Sequence, residues 1–72
     1  MEDFKINLKA ARINAGLSMK DAAKRMHIGY QMLSNYERGA NLPSEAQKLL
    51  FAKVYGIPDD MLDVETRDSI AE

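Results

Sequence analysis

The side chains that most often run reactions are scarce in this chain of 72 residues, which has one histidine and no cysteine. His27 stands in the turn His27-Ile28-Gly29 and reads as a turn residue rather than a general base or metal ligand. Without cysteine there is neither a disulfide framework nor a thiolate zinc site, and the redox compartment is unmarked. The acidic run Asp59, Asp60, Asp63 and Glu65 lacks the glycine and the spacing of a calcium loop. The preference of carboxylates for a helix start accounts for it better. Five methionines read as core filling or as an adaptable contact surface, not as a cofactor site. Neither an enzyme nor a cofactor or metal is expected.

Charge is the more informative chemistry. The chain carries a net charge of -1, which as a total argues against a nucleic-acid binder. Its distribution along the chain does not. Residues 5 to 38 hold seven cations against two acids, a net of +5, whereas residues 39 to 72 hold three cations against seven acids, a net of -4. Charge segregated in this way predicts two surfaces with different partners.

The elements that must position these residues can be read from composition and period. With 46% hydrophobic and 29% charged residues the chain is one small globular domain. At this size about 60% of the unfolded surface is buried, so compact helical packing has to supply a modest stability. No apolar stretch reaches membrane length, and Met1-Glu2-Asp3-Phe4 has neither the basic flank nor the apolar run of a signal peptide, so a cytoplasmic protein is expected.

Phe4, Leu8, Ala11 and Ala15 recur at helical spacing, with Asp3 placed to cap a first helix and Gly16 to end it. Ser18 and Asp21 have capping-box spacing for a second helix that stops near Met26. Leu33 and Tyr36 give an apolar side to a third helix from Tyr30 to Arg38, closed by Gly39. Ser44 and Gln47 open a fourth that runs to Tyr55 and Gly56, and Pro58-Asp59-Asp60 suits a short fifth through Leu62. The expectation is an all-α, compact five-helix domain over residues 1–62, with helices two and three forming a helix-turn-helix, followed by an acidic, flexible tail over residues 63–72.

Leu8-Lys9-Ala10-Ala11-Arg12, Gly16-Leu17-Ser18, Ala23, Ile28, Leu33-Ser34, Tyr36-Glu37-Arg38-Gly39, Pro43-Ser44, Ala52 and Tyr55-Gly56-Ile57 together resemble the phage Cro and repressor type of helix-turn-helix, also called the xenobiotic-response-element family. The likeness covers residues 4 to 62 and extends to the small Cro-like and antirepressor proteins of temperate-phage switches. It implies that the third helix enters the major groove of double-stranded operator DNA, with Tyr30, Gln31, Ser34 and Asn35 meeting base edges. Gln and Asn amides suit adenine, and a tyrosine ring suits a thymine methyl or a phosphate. Phosphate contacts fall to Lys20, Arg38 and Asn41, and Arg12 and Glu37 form the ion pair that joins helix one to helix three.

Four positions depart from the family pattern. Met19 replaces a glutamine that touches phosphate, Gly29 replaces a serine or threonine cap, Pro58 replaces a polar cap, and Lys48 replaces a core leucine. The first two lie on the DNA side and weaken DNA affinity. A second surface is also expected, because Ile6, Ala10 and Ile13 project away from the core stripe of helix one and Leu49, Leu50 and Val54 are apolar beyond what the core of helix four needs. Two functions follow. One is a small repressor that binds operator DNA, as a weak homodimer. The other is a modulator that binds a second repressor protein and alters its DNA binding.

Overall fold

The computed structural model describes residues 5–64. Three of its four α-helices start where a short polar side chain catches an amide that no intrahelical carbonyl can reach. Asn7 Oδ1 accepts the Ala10 N–H at 2.8 Å and opens α1, Leu8–Asn14. Ser18 Oγ accepts the Asp21 N–H at 3.0 Å and opens α2, Met19–Met26. The third helix, α3, Tyr30–Arg38, follows Gly29 with no side-chain cap. At α4, Glu45–Tyr55, both halves of the box are made: Gln47 N–H donates to Ser44 Oγ at 3.2 Å, and Ser44 N–H donates to Gln47 Oε1 at 3.2 Å. Gly39 and Gly56 close α3 and α4 in the left-handed region, which only glycine enters without strain.

Both ends of the expected architecture need correction. The first helix begins at Leu8, not near Phe4, because Ile6 is extended and pairs in parallel with Leu62. The Ile6 N–H donates to the Met61 carbonyl at 2.9 Å, and the Asp63 N–H donates to the Ile6 carbonyl at 2.8 Å. The cap is therefore Asn7; Asp3 and Phe4 lie outside the described residues. At the other end, the described residues form four α-helices, not five. Asp59–Met61 is a single 3-10 turn, stopped because Leu62 is drawn into extended pairing with Ile6. Most of the expected tail, residues 65–72, lies outside the described residues.

One core unites the helices. Leu8 and Ala11 from α1, Ala22, Ala23 and Met26 from α2, Leu33 and Tyr36 from α3, Phe51, Ala52 and Tyr55 from α4, and Leu62 are buried together. Phe51 is its centre, edge-on to Tyr36 with ring centroids 5.9 Å apart and tilted against Tyr55 at 5.7 Å. The Tyr36 hydroxyl donates to Gln47 Oε1 at 2.8 Å, so the cap of α4 also anchors α3. Lys48, at the position of the missing leucine, is half-buried, as its long stem permits.

Candidate nucleic-acid interface

Between α2 and α3 the chain reverses over His27, Ile28 and Gly29. His27 takes the left-handed conformation (φ 60°, ψ 41°), the sole described non-glycine residue at positive φ. The Ile28 N–H donates to the Ala23 carbonyl at 3.0 Å and ties off α2, and Gly29 then runs extended into α3. With Ala22, Ala23 and Met26 facing Leu33 and Tyr36 in the core, α3 must turn its opposite side to solvent.

That side carries the residues expected to meet bases. Tyr30 and Gln31 are exposed and Ser34 and Asn35 half-exposed, in an arc away from Leu33. Two of them are joined: Gln31 Nε2 donates to Asn35 Oδ1 at 3.3 Å. Arg38 is exposed and its Nη2 donates to the same oxygen at 2.6 Å. Asn41 lies in the loop after α3, where its amide meets the Met32 sulfur at 3.9 Å. Met32 is an exposed neighbour of Gln31 that sequence reasoning passed over, although its position on α3 already pointed outward.

Lys20 is exposed in the first turn of α2. It lines an open groove of ≈ 380 Å³ with Asp21, Ala23, Lys24, Ile28 and Tyr30, which brings an expected phosphate contact and an expected base contact to one cleft. Lys24, not singled out from sequence, lies there too. Its place one turn after Lys20 on α2 was the available signal.

Arg12 and Glu37 form an ion pair whose members are almost fully buried, with Arg12 Nε donating to Glu37 Oε2 at 2.8 Å. Arg12 Nη1 also donates to the Leu17 carbonyl at 3.0 Å, so one guanidinium joins α1, the α1–α2 turn and the end of α3. Nearby, the Tyr55 hydroxyl is buried with no hydrogen-bond partner among the described residues. Burial, and secondarily the negative charge of Glu37, push its pKa up to about 12.

The second expected surface is redrawn. Ile6 is not on helix one; it is half-buried and paired with Leu62. Val54 packs partly against the core. Ala10 and Ile13 on α1 and Leu49 and Leu50 on α4 remain exposed, Ile13 at 58% and Leu49 at 47%. No group of three or more His, Cys, Asp or Glu side chains among the described residues could hold a metal ion, and no described helix is long and apolar enough to cross a membrane.

Comparison with known proteins finds relatives of this sequence. A family profile described as helix-turn-helix matches residues 8–62. The chain is similar to "HTH-type transcriptional regulator ImmR" of Bacillus subtilis (strain 168), with 40% identity over 55 residues, which is 76% of this chain and 43% of that protein. It thus spans less than half the length of that curated relative. No solved structure matches.

Proposed function

The chain belongs to the helix-turn-helix family of transcriptional regulators, and on that premise we propose that it is a small repressor that binds operator DNA through α3. The observation that carries this function is the outward face of α3. Tyr30, Gln31, Ser34 and Asn35 face solvent there, beside a groove that brings Tyr30 against Lys20 and Lys24 of α2. Amides and hydroxyls read base edges, while the ammonium groups and Arg38 neutralise phosphate. A dimer would set two such helices about 34 Å apart, on half-sites one turn of DNA apart.

The test is duplex binding across a salt series, with the chain selecting its own best site from a randomised library. A DNA reader selects a site and loses affinity steeply as salt rises. Gln31→Ala is expected to weaken that site by roughly 1 to 3 kcal/mol and to relax the preference at one base pair. Failure to select any site at low salt rejects the repressor. A modulator of another repressor is the second function, supported by the exposure of Ile13, Leu49 and Leu50. It is favoured if Leu50→Asp abolishes a protein complex while Gln31→Ala changes nothing on DNA.

A further inference from the structure

Asn35 is half-exposed on the outward side of α3, and its side-chain oxygen accepts two hydrogen bonds, from Arg38 Nη2 at 2.6 Å and from Gln31 Nε2 at 3.3 Å. The groups themselves set the direction of both bonds. A guanidinium has only donors, so the Asn35 atom turned toward Arg38 is its oxygen and not its nitrogen. That oxygen has two lone pairs, and Arg38 and Gln31 occupy them. Gln31 must then turn its own NH₂ toward Asn35. Among the described residues no protein group bonds to Asn35 Nδ2 or to Gln31 Oε1, and these are the atoms left for a partner.

From this arrangement, and resting on the DNA-binding function proposed above, we infer that Arg38 is a positioning residue that sets base preference: it orients the Asn35 amide, and through it the Gln31 amide, so that α3 offers Asn35 to the bases as a donor alone. Pairing an asparagine with adenine on both edges needs its oxygen to accept from N6 while its nitrogen donates to N7. Asn35 has no free lone pair for the first of these. Its Nδ2 instead favours guanine, with acceptors at O6 and N7, or thymine at O4, over adenine, where it can reach only N7 and leaves the N6 donor without a partner. Gln31 keeps Oε1 and one N–H free, which is the pair adenine requires. Adjacent turns of one helix thus carry two amides with different preferences, and the difference originates in an arginine that need not touch a base.

Two variants and two measurements test this. Arg38→Met keeps a long stem and removes every donor, and Arg38→Lys keeps the charge and a donor nitrogen but not the planar guanidinium fork. Arg38 is exposed at the last position of α3, so both variants are expected to fold, which backbone amide NMR spectra verify. In the free protein, Arg38→Met is expected to move the side-chain amide resonances of both Asn35 and Gln31, and Arg38→Lys to move them less. On DNA, Arg38→Met is expected to swing the base pair under Asn35 about tenfold toward adenine relative to guanine or thymine, with the pair under Tyr30 unchanged. Unmoved side-chain resonances overturn the inference without reference to DNA. Uniform weakening on every duplex, with no change of preference, also overturns it, because that is the signature of a phosphate contact alone. If the resonances move but the wild-type chain selects no duplex, the DNA-binding function fails and takes the base preference with it, and the NMR result tells the two failures apart.

Discussion

Tyr55 shows how one atom can oppose the fold around it. Its ring belongs to the core beside Phe51, yet its hydroxyl is buried and bonded to no described residue. An unpaired buried hydroxyl costs stability, so Tyr55→Phe is expected to stabilise the domain by about 1 kcal/mol in urea denaturation at neutral pH. The same group makes the fold sensitive to alkali. The folded chain holds the phenol proton up to about 12, whereas an unfolded tyrosine releases it near pH ~10. The unfolded state therefore binds fewer protons between those values, and stability present below that range is lost as pH rises through it. Wild type is expected to lose more stability than Tyr55→Phe over this interval. A less stable variant at neutral pH would mean that the hydroxyl has a partner after all, and equal losses in the two proteins would mean that folding does not hold the phenol proton. Nothing in the sequence marked Tyr55 out, since an aromatic residue at core spacing looks the same whether or not its hydroxyl is satisfied.

At the scale of elements, the turn between α2 and α3 carries the largest local tension. His27 closes α2 in the left-handed region, where a β-carbon crowds the backbone, and the three described glycines at positive φ show what the other turns use instead. His27→Gly is expected to raise stability by about 1 kcal/mol and to leave DNA affinity unchanged, since the imidazole is exposed and the helix angle is retained. Thermal melting and duplex titration check the two halves of that statement; a drop in melting temperature would assign His27 a role in packing. Periodicity and capping residues located α2, α3 and α4 because these signals lie within a few residues of the elements they define. They misplaced the start of α1 and lengthened the last turn into a helix. In both cases the competing partner was distant in sequence: the pairing of Ile6 with Leu62 withdraws residues from helices that local preference alone would have grown.

For the whole molecule, the Arg12–Glu37 pair is the polar link that joins the first helix to the end of the third. Each charge is nearly buried and satisfied by the other, so removing one partner leaves the second desolvated and alone. Arg12→Met is expected to cost about 3 kcal/mol, and the double variant Arg12→Met/Glu37→Leu distinctly less than the sum of the two single changes. Additive losses in a double-mutant cycle by chemical denaturation would show that the two residues do not act as a pair. Charge is organised at this scale too. The +5 segment, residues 5 to 38, spans α1 to α3, and the -4 segment, residues 39 to 72, includes α4 and the 3-10 turn. In the proposed DNA-binding function the acidic part would repel the phosphates that the basic part attracts, lowering non-specific affinity and placing more of the binding on base contacts.

Sequence by itself determined the helical class, the caps at Ser18 and Ser44, the left-handed stops at Gly39 and Gly56, and the set of polar residues that faces away from the core on α3. Each of these is a short-range consequence of residue type and of a period of about 3.6 residues. Only the tertiary structure decided where the domain closes, which apolar residues stay exposed, and how the polar face is wired. Ile6 and Val54, expected on an outer surface, are half-buried against the core, whereas Ile13, Leu49 and Leu50 are exposed. Arg38, whose position alone suggests a phosphate contact, also donates a hydrogen bond to the Asn35 side chain. Hydrogen-bond direction depends on which atoms come within reach, and that is a property of side chains brought together in space rather than of their order along the chain.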